Sequence, residues 1–154
     1  MTSIVEQLNR LLTAKRASVE ALSGLVEQAP TSEIRRLFGQ MRDDEAWTCA
    51  GLVGCLARLD HRPMRAKADF PGNVLALPAL PDRVRLLNRG QRWVVERIEE
   101  LLPRDLDADT RAFLAEMRVV HLGNIRRCDE LLVELDRQRE GAVDRPDTGP
   151  SLER

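Results

Sequence analysis

Several residue types are scarce in this chain of 154 residues, and each scarcity excludes a class of function. Tyrosine is absent, so no mechanism can use a tyrosine hydroxyl or radical. Three cysteines cannot form a framework of paired disulfides, and no signal peptide opens the sequence, so we expect a cytoplasmic protein. No apolar run approaches the roughly 20 residues that span a membrane. The formal net charge of −1 excludes a nucleic-acid binder that relies on bulk positive charge.

Apolar residues recur at helical spacing in four segments, and no segment alternates as a strand would. The predicted helices cover residues 3–28, 32 to about 60, 82–102 and 107–139. Pro30 and Pro103 end the first and third helices. Thr31 or Ser32, and then Asp107, are the expected N-caps of the helices that follow. The fold class is therefore all-α.

The lengths of the links predict how the helices are connected. The first and third links are short, so each joins antiparallel neighbours. The middle link, residues 61–81, is long enough to cross the whole bundle, with a short helix expected around Gly72 to Leu77. We therefore expect a four-helix up-down-down-up bundle over residues 1–139, with one long crossover. Residues 140–154 contain two glycines and two prolines and are expected to form a flexible C-terminal tail.

The two helix pairs align with each other at an offset of 76 residues without a gap. Met41-Arg42 aligns with Met117-Arg118, and Leu59-Asp60 aligns with Leu135-Asp136. Matching leucine positions are weak evidence for a repeat, because any two helical hairpins of equal length align in this way. The stronger evidence is the identical dipeptides and the absence of gaps. They indicate an internal repeat, with two halves related by a pseudo-two-fold axis.

Three segments carry a resemblance to a known family: MRDDEAWTC at 41–49, LNRGQ at 87–91 and HLGNIRRC at 121–128. They resemble uncharacterised bacterial members of the ferritin-like superfamily. The resemblance covers roughly Ile4 to Gln138 and implies a bundle of two helical hairpins joined by a long crossover. It implies no settled activity.

Each helix has polar residues that interrupt its apolar stripe near the midpoint. Midpoints meet at the same height in a bundle whichever way the helices run, so these residues are expected to form one buried polar layer. The offset of 76 also pairs them with one another. The layer consists of Lys15, Glu45, Thr48, Gln91, His121 and Asn124.

The positions of these residues resemble those of the diiron ligands in metal-binding ferritin-like proteins. Lys15 and Gln91 replace lone carboxylates, and only Glu45 keeps the expected residue type. Two hard cations need several anionic oxygens, so the resemblance implies a degenerate site with no metal and no cofactor. A Lys15–Glu45 ion pair is expected instead, with the rest of the layer satisfying its hydrogen bonds. In an alternative arrangement, the Lys15 side chain extends along its helix to the surface.

These observations favour a noncatalytic interaction or regulatory module, a homodimer that binds neither nucleic acid nor membrane. One alternative is a metal-binding or redox protein that uses Glu45 and His121, with Asp44 as a reserve ligand. Another is a bundle that binds a small molecule beside its polar layer. A thiol nucleophile, Cys49 or Cys128 with His121, lacks a readable oxyanion hole. Trp47 and Trp93 are expected at helix borders or at a dimer face.

Overall fold

A computed structural model describes residues 2–65 and 70–144. These ranges contain helices and no strand. The helices are α1 (Ile4–Glu27), α2 (Ser32–Arg58), α3 (Phe70–Ala76), α4 (Leu80–Leu101) and α5 (Ala108–Asp144). The long helices form the expected up-down-down-up bundle, and the all-α fold class is confirmed.

The caps follow from short side chains at the expected places. Thr31 accepts a hydrogen bond from the Ile34 amide, and Asp107 accepts one from the Thr110 amide. Each bond satisfies one of the amides that the first turn of a helix leaves without a partner. α2 ends two residues before the left-handed Asp60, at φ 55°.

The two halves repeat at the predicted offset. α1 begins at Ile4 and α4 at Leu80, while α2 begins at Ser32 and α5 at Ala108. Both pairs of starting points lie 76 residues apart, so the observed helices agree with the internal repeat.

One predicted boundary is wrong. α5 continues to Asp144 rather than ending near Arg139, so the first residues of the expected tail are helical. Gly141 does not end the helix because glycine destabilises a helix interior by only about 1 kcal/mol. Residues 145–154, the remainder of the expected tail, lie outside the described residues.

The crossover is anchored on the bundle at both of its described ends. Before the gap, Asn9 accepts a hydrogen bond from the Met64 amide at 3.0 Å. After it, α3 is the short helix expected near Gly72, and its Val74 is fully buried in the core. Leu75 packs so closely on α1 that a Cβ at Gly24 would lie 2.8 Å from its Cδ1.

The core is divided into two apolar clusters, one toward each end of the bundle. The first includes Leu12, Leu52, Val94 and Met117, and the second includes Ala21, Met41, Leu87 and Cys128. On every long helix, the predicted polar residues fall between its members of the two clusters. The polar layer therefore separates the two halves of the core.

Candidate functional site

Three charged or polar side chains from three helices meet at the centre of the bundle. Lys15 on α1, Glu45 on α2 and His121 on α5 are each no more than 1% exposed. Lys15 Nζ lies 2.9 Å from Glu45 Oε2 and 3.0 Å from His121 Nε2. We call these three residues the central triad. The alternative in which Lys15 reaches the surface is wrong, because its ammonium is held between two partners inside the bundle.

The hydrogen-bond partners of His121 define its tautomer. Its Nδ1 lies 2.8 Å from the carbonyl oxygen of Met117, which can only accept, so Nδ1 carries the proton. The Nε2 lone pair then accepts from the Lys15 ammonium. Glu45 Oε1 lies farther from Nε2, at 3.5 Å. The central triad is thus a cation, an anion and a neutral imidazole, with no net charge.

The electrostatics of Glu45 reflect two opposing effects. Burial raises its pKa, since a carboxylate loses its hydration inside the bundle. The positive charge of Lys15, 2.9 Å away, outweighs burial, and the pKa of Glu45 is lowered to about 2. The carboxylate is therefore ionised at neutral pH. Its Oε2 has the Lys15 charge beside it but no aligned hydrogen-bond donor among the described residues.

Two other residues of the polar layer, Thr48 and Asn124, hydrogen-bond to Asp44 rather than to the central triad. Thr48 donates to the Asp44 carbonyl at 3.0 Å, and Asn124 donates to Asp44 Oδ2 at 3.2 Å. Arg127 in turn donates to Asn124 Oδ1 at 3.2 Å. Thr48 and Asn124 are buried as members of the layer but do not hydrogen-bond to Lys15 or Glu45. The carboxylate of Asp44, the reserve ligand, has Asn124 as its partner.

Gln91 forms a separate network with residues of α4 and α5. Its Nε2 donates to Asn88 Oδ1 at 3.3 Å and approaches the Cys128 sulfur at 3.6 Å. Asn88 donates to Asp129 at 2.8 Å, and Gln91 Oε1 has no partner among the described residues. The expectation that Gln91 serves the Lys15–Glu45 pair is therefore wrong.

Asn88 is a buried polar residue that the sequence analysis missed. It precedes Gln91 by three residues, the spacing that places two side chains on one helix face. Glu45 with Thr48 and His121 with Asn124 have the same spacing, so this signal was available. It was overlooked because Asn88 precedes its layer residue, whereas the other two partners follow theirs.

The thiols are poorly suited to nucleophilic chemistry. All three cysteines are free, and burial raises the pKa of each. For Cys128 burial raises the pKa to about 11, and its sulfur lies against Met41 Sδ at 3.8 Å rather than against His121. Among residues 2–65 and 70–144, no three His, Cys, Asp or Glu side chains are grouped so that they could hold a metal ion.

Both tryptophans lie at helix borders. Trp47 on α2 packs against Phe113 on α5, with ring centroids 5.2 Å apart, and remains 39% exposed. Trp93 on α4 is partly buried and has the Arg97 guanidinium over its ring at 5.5 Å. Within the described residues, no helix is both long and apolar enough to cross a membrane.

Comparisons with known proteins support the fold and identify a family of unknown function. A domain of unknown function (DUF6306) matches residues 2–130. A dodecameric thioferritin from Bacteroides fragilis, described as bacterioferritin-related, superimposes with a TM-score of 0.75 at 14% identity over 89% of this chain and 88% of its own. A DUF305 fragment from Deinococcus radiodurans has a TM-score of 0.73 at 15% identity, over 84% of this chain and 95% of its own.

A third solved structure is a two-domain protein from Anabaena variabilis with DJ-1/ThiJ/PfpI-like and ferritin-like domains. It has a TM-score of 0.66 at 24% identity and covers 96% of this chain. This chain spans 41% of that protein. No curated protein matches the sequence. The likenesses to the thioferritin and to the protein with a ferritin-like domain show a ferritin-like fold.

Proposed function

The chain belongs to the DUF6306 family, and we propose that it is a metal-independent ferritin-like bundle that acts as a protein-interaction module. The single observation that carries this proposal is the position of the Lys15 ammonium. It lies between a carboxylate and an imidazole, at 2.9 Å and 3.0 Å, where two groups of metal-ligand type converge. In this proposal, a protein cation takes the place that a metal cation has in ferritin-like metalloproteins.

The residues of the layer do not fit a diiron centre. Such a centre is built from a carboxylate on each of two helices and a Glu-x-x-His pair on each of the others. Here the corresponding residues are Lys15, Gln91, Glu45 with Thr48, and His121 with Asn124. One carboxylate cannot balance two divalent cations, and the ammonium would repel them at close range. The second carboxylate nearby, Asp44, is hydrogen-bonded to Asn124.

The central triad then has a structural role. It links α1, α2 and α5 at one height, between the two apolar clusters. Apolar packing alone would leave the helices free to shift along one another. A buried ion pair of this kind fixes register more effectively than it adds stability, since desolvation offsets much of the attraction. Because these side chains fill the centre of the bundle, we propose that the protein binds its partners through its outer surface.

We also infer that the protein is a cytoplasmic homodimer. The similar protein from Bacteroides fragilis is a dodecamer, which supports self-association of this fold. Three thiols that are not paired with one another suit a reducing compartment.

Elemental analysis tests the proposal. The protein is purified without chelator and incubated with Fe²⁺, Mn²⁺ or Zn²⁺, and bound metal is measured after desalting. We expect less than one-tenth of an equivalent of each metal, and a melting temperature that neither the metal nor a chelator changes. Stoichiometric metal in the wild-type protein that is lost in Glu45→Gln would overturn the proposal.

A further inference from the structure

The short helix α3 lies at one end of the groove between α1 and α4 and contacts both helices. Its Val74 is fully buried, in the same apolar cluster as Leu25 of α1 and Val84 of α4. Leu75 lies so close to α1 that a Cβ at Gly24 would be 2.8 Å from its Cδ1. The helix α3 thus fills this end of the groove, which we call the α3 site.

An arginine holds the carboxyl end of α3 in this site. Arg83 of α4 donates to the carbonyl oxygen of Leu75 at 2.9 Å and to that of Leu77 at 2.6 Å. Carbonyl groups at the end of a helix have no partner within the helix, so a side-chain donor there stabilises the end. The same guanidinium donates to Gln28 Oε1 of α1 at 2.6 Å. An arginine and a glutamine therefore face each other across the groove where α3 ends.

The internal repeat places an equivalent site at the other end of the groove. A shift of 76 residues relates α1 to α4, so the pseudo-two-fold axis between them exchanges the two ends of the groove. A cavity of about 290 Å³ lies at that other end, and we call it the equivalent site. Each of its lining residues is 76 positions from Pro78, Arg83, Gly24, Leu25 or Gln28; in the same order, they are Thr2, Gln7, Glu100, Leu101 and Arg104.

The equivalent site keeps an arginine and a glutamine but exchanges them between the two sides of the groove. Gln7 of α1 has the position of Arg83, and Arg104, just after α4, has the position of Gln28. Arg104 donates to the carbonyl oxygen of Thr2 at 2.7 Å. Gln7 Oε1 is buried and has no hydrogen-bond partner among the described residues. A buried acceptor without a partner is unfavourable, so a donor from outside the chain, such as a backbone amide, would be stabilised at Gln7.

Two substitutions make the equivalent site shallower than the α3 site. Glu100 has the position of Gly24, and Arg97 has the position of Ala21. The two side chains form an ion pair at 3.2 Å, and the buried Nε of Arg97 lacks a partner among the described residues. A leucine placed as Leu75 is would collide with Glu100, because even a Cβ at the position of Gly24 comes within 2.8 Å of it. A helix in the equivalent site therefore needs small side chains opposite this ion pair.

We propose that the equivalent site binds the end of a short helical segment of a partner protein, which presents small side chains to Glu100 and backbone groups to Gln7. This inference rests on the proposed interaction role and names the chemistry of the partner. The α3 site is a precedent within the chain, because there the groove holds a short helix by its terminal carbonyl groups. A glutamine amide can both accept from and donate to a backbone. The volume of about 290 Å³ is at the lower limit for small-molecule sites, which favours a segment whose bulk stays outside the cavity.

Nuclear magnetic resonance of the full chain tests this inference with a peptide copied from the crossover. The probe has the sequence of residues 70–79 with the change Leu75→Ala, which supplies the small side chain that Glu100 requires. We expect the backbone amide resonances of Gln7, Glu100 and Leu101 to shift, with a dissociation constant below about 1 mM, as for a short segment that buries little surface. The peptide of unchanged sequence should bind at least about tenfold more weakly, because its leucine collides with Glu100.

A protein variant gives a second readout by making the equivalent site resemble the α3 site. Glu100→Gly should bind the peptide of unchanged sequence at least about tenfold more tightly than the wild-type protein does, because the collision is removed. Glu99→Gly is the matched control, since it places a glycine in the same turn of α4 but does not line the cavity. It should leave the affinity for both peptides within about twofold of the wild-type value.

The resonances that shift distinguish the possible occupants. Shifts at Gly24 and Arg83 would mean that the peptide displaces α3 from its own site, and shifts that grow with protein concentration without peptide would make a second copy the occupant. Either result would overturn the inference, as would the absence of any shift at about 1 mM peptide. Metal content measured on the same samples tests the proposed function separately, because a metal-loaded bundle could still bind the peptide.

Discussion

The α1–α2 half of the bundle places two charges in the polar layer, whereas the α4–α5 half places neutral groups at the equivalent positions. Lys15 corresponds to Gln91, and Glu45 to His121, at the offset of 76. The charged half forms an ion pair at 2.9 Å. In the neutral half, Gln91 Nε2 donates to Asn88 and approaches the Cys128 sulfur, while Gln91 Oε1 has no partner among the described residues.

This difference shows how a repeated fold can lose the symmetry of its centre. A second buried ion pair would double the desolvation cost, and attraction in the interior only partly offsets that cost. One pair already balances itself, so the other half needs only hydrogen-bonding groups. His121 joins the two halves, because it accepts from Lys15 across the bundle while it donates to Met117 on its own helix.

Removing the cation tests this comparison most strongly. Lys15→Met leaves Glu45 buried without its charge partner and should reduce the free energy of unfolding by about 3–5 kcal/mol. The matched change in the other half, Gln91→Met, removes hydrogen bonds between neutral groups and should cost about 1 kcal/mol. Denaturant unfolding of both variants measures the two values.

A double variant separates charge from shape in the same experiment. Lys15→Met combined with Glu45→Gln removes both charges and should recover most of the loss, because no uncompensated carboxylate remains. Equal stabilities for Lys15→Met and Gln91→Met would show that the charged and neutral halves of the layer are energetically alike, which the comparison does not allow.

The sequence was sufficient for the long helices, apart from the C-terminal end of α5, and for the burial of the six polar residues it assigned to the layer, but not for Asn88. Each layer residue interrupts an apolar stripe, and that interruption is visible without a structure. The hydrogen-bond partners were not visible, because they depend on side-chain rotamers and on neighbours such as Asn88 and Asp44.

The stability of the bundle at acid pH should depend on Glu45, which lies in the α1–α2 half of the repeat. The pKa of Glu45 is lowered from 4.5 to about 2 in the folded state. Its contribution to stability is therefore complete above pH 4.5 and is lost as the pH falls toward 2, because the unfolded chain binds the proton first. The loss amounts to about 3 kcal/mol. Unfolding free energies between pH 5 and 2 should show this slope.

Variants of single carboxylates isolate the source of the acid slope. Glu45→Gln should reduce the slope, since glutamine does not titrate, and the lowered pKa of Asp107 should leave a smaller pH dependence. Glu130→Gln, which changes an exposed carboxylate on α5 in the other half, should keep it. An unchanged slope in Glu45→Gln would mean that the ionised Glu45 does not contribute to the acid sensitivity of the fold.

The smallest expected effect concerns the seam between α2 and α5, where the halves again differ. Gly51 allows the Phe113 ring to lie against α2, whereas the equivalent positions in the repeat are Arg127 and Leu37. Gly51→Ala would place a Cβ 2.0 Å from a ring atom, so the ring must move, at about 1–3 kcal/mol. Gly141→Ala, whose Cβ meets nothing within 4 Å, should instead be neutral or slightly stabilising.

Adding Phe113→Leu to Gly51→Ala makes room for the methyl, so this double variant should lose less stability than the sum of its two single changes. Strict additivity in thermal unfolding would mean that Gly51 is not there to accommodate the ring.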